Sequence, residues 1–149
     1  MKSICKFASL FGIAVLLAGL VGCSSGGGAA EVGKSLYAQL GRADGVAKLA
    51  NQFGVNIASN PALNSILDAP AIGNVQTGLT NDIIKVSGMT PPNGTTLASA
   101  LQGKGLDKNG FDALSKCLTD AGTAQGLDSA VVGTLTSKVM GPAKKSLGL

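Results

Sequence analysis

Chemistry needs groups that exchange protons, attack carbon or hold a metal, and this chain is short of them. Its 149 residues include no histidine and no tryptophan, three cysteines, three methionines and eight carboxylates. General acid–base catalysis calls for a group whose pKa lies near the working pH, and imidazole is the usual carrier. Asp68, Asp82, Asp112 and Asp120 are separated by several residues and read as members of solvated faces. Thr77, Thr80, Ser115 and Thr119 are helix-surface hydroxyls with no base nearby in sequence. A zinc site needs several Cys, His or carboxylate donors converging, and no spacing here provides them. The Gly26–Gly28 run could cradle a phosphate only as the turn between a strand and a helix, and no strand-like alternation precedes it. No enzyme and no metal site is expected.

The sulfur chemistry points elsewhere. MKSICKFASLFGIAVLLAGLVGC begins with the basic Lys2 and Lys6 and continues into an apolar stretch, Leu10 to Leu20. That stretch is shorter than the ~20 residues that span a bilayer, and it has the layout of an export signal. Its end, Leu20-Val21-Gly22-Cys23, resembles a bacterial lipobox. The resemblance implies a diacylglyceryl group on Cys23 and cleavage after Gly22, so residues 1–22 read as a lipoprotein signal peptide. Two or more acyl chains make a stable anchor, each buried methylene contributing ~0.8 kcal/mol. Ser24 follows the cysteine where an aspartate would signal inner-membrane retention. The expected location is the cell envelope, with the outer membrane favoured in an organism that has two. Residues 23–33, lipidated Cys23 with SSGGGAAEVG, then form a flexible tether, and residues 34–149 form the folded domain.

Removing residues 1–22 takes Lys2 and Lys6 from the twelve basic side chains, leaving a charge of about +2 against eight acidic ones. No Lys/Arg run suggests nucleic acid as a partner. With Cys23 lipidated and Cys5 removed, Cys117 is the one remaining thiol, so no internal disulfide can form.

From residue 34 the periodicity is helical, with no sustained alternation. KSLYAQLG (34–41) predicts a short leading helix. Val46, Leu49, Ala50, Phe53 and Ile57 recur at steps of three and four, giving one apolar face. Asn60-Pro61 ends that helix and begins a turn with Leu63, Ile66 and Leu67 pointing inward. Ile72, Val75, Leu79, Ile83 and Val86 mark the next helix, ended by Gly88 and Pro91-Pro92. Leu97, Ala100 and Leu101 line a short helix that exits through Gly103 and Gly105. Asp107 is placed to cap the helix carrying Phe111, Leu114, Cys117, Leu118 and Ala121. Asp128 opens the last helix, with Val132, Leu135 and Val139 on its buried side, and Gly141-Pro142 predicts an early end or kink. Six or so helices with short connections predict a single all-α domain.

In order and spacing these stretches resemble the truncated haemoglobins, most closely the first group. SLYAQLG (35–41) with Asp44-Gly45-Val46 matches that family's opening Leu-Tyr-x-x-Leu-Gly and acidic-Gly-apolar pair. Phe53 falls on its helix-interior phenylalanine, and NPALNSIL (60–67) on its Asp-Pro-x-Leu turn. Gly88 and Gly94 sit where the family has glycines around its middle loop, and Gly103, Gly105, Leu106 and Phe111 continue the register. The resemblance covers residues 35 to about 147 and implies a truncated-globin helical sandwich. It also places Leu101 where the family has the proximal histidine that binds haem iron. An isobutyl group has no lone pair to donate. Gly54 stands at the family's distal tyrosine, and Ile66 and Leu67 stand at an aromatic pair flanking the haem.

By that resemblance Phe53, Gly54, Ile66, Leu67, Leu79, Ile83, Leu97 and Leu101 line whatever pocket remains, and each is also an ordinary core residue. Met89 and Met140 are thioether ligand candidates that read as core filler. Cys117 reads as a small buried hydrophobe, Tyr37 as a packing residue, and Lys104 as a side chain snorkelling to water. The expectation is a membrane-anchored, haem-free, non-catalytic module, held to the membrane through Cys23, for a protein partner or a small apolar ligand. The competing expectation is a haem protein, handling oxygen or nitric oxide, with an axial ligand other than histidine.

Overall fold

The computed structural model describes residues 35–149. The expected signal peptide, Cys23, the expected tether and Lys34 lie outside the described residues. Among those described there is no strand, and no helix is long and apolar enough to cross a membrane.

Local chemistry sets the helix starts. Ser35 accepts from the Ala38 N–H to open α1 (Leu36–Gln39), and Gly41, at φ 86°, turns the chain into α2 (Arg42–Ser59). Asn60 caps α3 (Pro61–Asn64) through Ala62 N–H, with Pro61 at the first position where a missing N–H costs nothing. Asp68 caps α4 (Ala69–Val86) through Ala71 N–H at 3.0 Å. Thr96 and Ser99 form a reciprocal capping box on α5 (Leu97–Leu101). Asp107 opens α6 (Lys108–Ala124), and Asp128 opens α7 (Ser129–Leu135). A π-helical turn, Thr136–Met140, joins α7 to α8 (Gly141–Ser146).

The chain's last helical run departs from expectation at Gly141-Pro142. Helical backbone continues through both residues to Ser146, and the irregularity lies one turn earlier. Proline's ring crowds the carbonyl four residues back and offers it no hydrogen. The π-turn widens the helix at that point, with the Gly141 N–H donating to the Thr136 carbonyl five residues back. The short turn after Asn60 likewise proves to be a capped helical turn rather than a bare bend.

α2 packs on α4 and α6, α4 on α5 and the π-turn, and α6 on α7. The α2/α4 pair thus lies over the pair made by α6 and the α7–α8 run. One apolar cluster fills the space between, from Leu36 at one end to Ala143 at the other. Phe53, Phe111, Leu49 and Leu118 are among its largest fully buried members.

Candidate functional site

Four of the eight residues expected to line a pocket lie on α4 and α5, which meet at a joint. Its geometry is set by a glycine. A Cβ built on Gly78 would lie 2.6 Å from both the carbonyl carbon and the oxygen of Thr96, and 2.7 Å from Leu97 N. Real Cβ contacts do not come that close, so only glycine lets the main chain of α5 rest on α4. Two polar side chains one turn along α4 secure the contact. Asn81, 2% exposed, donates through Nδ2 to the Thr95 carbonyl at 2.8 Å and to Asn93 Oδ1. Asp82 accepts the Leu97 N–H through Oδ2 at 2.9 Å. Burial pushes the Asp82 carboxyl above its ordinary range, against the Leu97 hydrogen bond and the nearby Lys85, which favour the charged form. Asp82 therefore departs from the solvated face expected for it. It is half-buried and caps a neighbouring helix.

The eight candidate pocket residues are divided among α2, the α3–α4 connection, α4 and α5. Phe53, Leu67, Leu79, Ile83, Leu97 and Leu101 are each at most 1% exposed and belong to the continuous core. Ile66 is partly buried and packs against it. Gly54 is buried for a different reason, because a Cβ there would lie 2.1 Å from Gln76 Nε2. That amide crosses from α4 and donates to the Ala50 carbonyl of α2 at 3.0 Å. The space over Gly54 is thus taken by a side chain already committed to a hydrogen bond.

The remaining chemistry-bearing groups are accounted for individually. Cys117 is buried, and Asn60 Nδ2 approaches its sulfur at 3.8 Å. Burial raises that thiol's pKa, which keeps the thiolate scarce. Met140 is buried in the core, and Met89 is 40% exposed beyond the end of α4. Tyr37 packs against the core, and its N–H donates to Ser87 Oγ, tying α1 to the end of α4. Asp120 pairs with Lys116 and Asp112 with Lys144, both at the surface. The hydroxyls of Thr77, Thr80 and Thr119 donate to carbonyls four residues back. Lys104 is exposed, as its snorkelling role requires. Among the described residues no group of His, Cys, Asp or Glu could hold a metal ion.

Of the grooves outside the predicted pocket, two border the π-turn. One, of about 590 Å3, runs between α6 and α7 and is lined by Thr119, Thr123, Leu127, Ser129, Val132, Gly133, Thr136 and Ser137. The other, of about 420 Å3, is bounded by α4, α5, the π-turn and α8 and holds the charged side chains Asp82, Lys85 and Lys138. Helical periodicity alone does not reveal either. Pro142, which lines the second groove, was a signal for that one alone, since a proline inside a helical pattern disturbs the turn before it.

No protein-family model matches the chain, and no curated protein matches it. Solved structures do. The truncated haemoglobin of Tetrahymena pyriformis matches it in three Fe(III) crystal structures, two of them of point mutants. Each aligns with a TM-score of 0.64 at 18% identity, covering 76% of this chain and 97% of that one. The fold is therefore that of a truncated globin, a single all-α domain. Haem in such a fold needs an axial donor and a gap that admits the porphyrin. The residues at this joint suit neither need: Leu101, on which the axial position falls by the resemblance, carries no donor atom, and α4 and α5 are in main-chain contact at Gly78.

Proposed function

We propose that this chain is an envelope lipoprotein, anchored through lipid on Cys23, whose truncated-globin domain works without haem as a non-catalytic binding module. The observation that carries this reading is the joint itself. Where the resemblance expects imidazole and a porphyrin, the chain has Leu101 in a continuous core and helix main chain packed through Gly78. Its occupant would be a protein partner or a small, largely apolar ligand. The lack of histidine in the sequence, and so of the usual general acid–base carrier, supports a role without catalysis.

A haem titration of the purified full chain tests the reading. The wild type should give no haem-specific Soret shift at micromolar haem. Leu101→His supplies an imidazole but no gap, so haem must displace packed side chains, and distortion of a packed core costs about 1–3 kcal/mol. Weak, histidine-ligated binding is expected in Leu101→His and less in a Leu97→His control. Stoichiometric haem binding by the wild type would establish the opposing reading, an oxygen- or nitric-oxide-handling haem protein with a ligand such as Met or Cys. Equal spectra from the two histidine variants would show that the register inferred for Leu101 is wrong.

A further inference from the structure

We infer that the groove bounded by α4, α5, the π-turn and α8 binds a single-chain amphiphile with an anionic head, a medium-chain carboxylate by chemical class. This deepens the reading of the domain as a binding module by assigning its ligand site.

The groove's volume, about 420 Å3, falls within the range of small-molecule pockets. Its floor is apolar and built of small groups: Val139 and Ala143 are buried, Ala98 is half-buried, and Pro142 closes one side. Alanines on both α5 and α8 leave a channel where larger side chains would have met. Such a channel suits an alkyl chain one methylene wide.

The rim chooses the sign of the head group. Lys85 on α4 and Lys138 on the π-turn both border the groove and are exposed. One carboxylate, Asp82, shares the groove, but its Oδ2 is committed to the Leu97 N–H, and Lys85 favours its charged form. Lys138 has no ion pair among the described residues, whereas Lys116 and Lys144 are both paired. The groove lining therefore carries an excess positive charge together with an apolar floor. Lysine stems lie readily along apolar surface while the ammonium stays at the water boundary, which suits a carboxylate held at the rim with its chain below.

The larger groove between α6 and α7 lacks this combination. Its lining residues carry no charge. Thr119, Thr123, Thr136 and Ser137 already donate their hydroxyl hydrogens to main-chain carbonyls. It provides an internal control instead.

The test is calorimetric titration of the full chain in lipid nanodiscs with octanoate, octanol and octyltrimethylammonium, with empty nanodiscs as blank. Octanoate should saturate at one site per chain and bind at least about tenfold more tightly than either analogue, since an unmatched or like charge at such a rim is costly. Lys138→Glu, at an exposed position, should weaken octanoate about tenfold or more. Ala98→Leu should abolish binding by filling the channel, while Gly133→Leu, in the other groove, should leave it unchanged. Circular dichroism confirms that each variant is folded. Equal affinity for octanoate and octanol overturns the assignment of charge. Binding that survives Ala98→Leu, or is lost in Gly133→Leu, overturns the assignment of place. Neither result touches the haem titration, so the two readings fail separately.

Discussion

Single residues decide how closely this fold can be drawn together, and two glycines on one helix separate the effects. Gly78 lies against the Thr96–Leu97 main chain, whereas a Cβ on Gly73, a turn and a half earlier on α4, would meet nothing within 4 Å. Gly78→Ala should therefore destabilise the domain by about 1–3 kcal/mol, the usual cost of forcing extra atoms into a packed site. Gly73→Ala should stabilise it by about 0.5–1 kcal/mol, because alanine loses less backbone freedom in a helix. Urea unfolding of both variants checks the pair, and a stabilised Gly78→Ala would show that α5 does not rest on α4 there. Neither glycine's role is legible in sequence. Both look like tolerated interruptions of an apolar helix, and only the partner across the gap tells them apart.

At the scale of elements, the short α5 is held to α4 by groups that a hydrophobic pattern cannot register. Leu97 and Leu101 were legible as inward positions, and they are buried. Asn81 and Asp82 were not legible as the fastening, because a polar residue on a helix usually marks its wet side. Asp82 gives this joint a pH dependence whose sign is fixed. Its folded-state pKa lies above the ordinary carboxylate value of 3.8, so the native state favours the protonated form. That contribution is complete at low pH and is lost as pH rises through the raised folded value. Asp82→Asn retains an oxygen for the Leu97 N–H but cannot ionise. The wild type's urea midpoint should fall relative to this variant as pH is raised from about 3 towards 7. A difference between the two that does not change with pH would mean that burial does not perturb Asp82. The π-turn was foreshadowed by Pro142 but misplaced, since the ring's crowding acts on the turn before it rather than on the chain after it.

Across the whole molecule, helix order and core membership were readable from spacing, because they depend on which positions are apolar, while the truncated-globin architecture was readable only through the family resemblance of residues 35 to about 147. The site was not, because it depends on what fills the space between helices. The proposed membrane anchor belongs to this scale as well. Replacing Cys23 with Ser should leave a precursor of full length that takes up no labelled palmitate. Normal processing and membrane fractionation of that variant would remove the lipoprotein reading. The α4–α5 joint also bears on how the folded population is maintained. A protein whose centre is closed by a bound guest gains stability in proportion to RT ln(1 + [L]/Kd), so its folded fraction follows supply. Here the closing contact at Gly78 is main chain against main chain, a joint with no dissociation constant and no mass-action term. Each copy carries it at the same effective concentration, and its melting temperature should be indifferent to how much haem its surroundings contain.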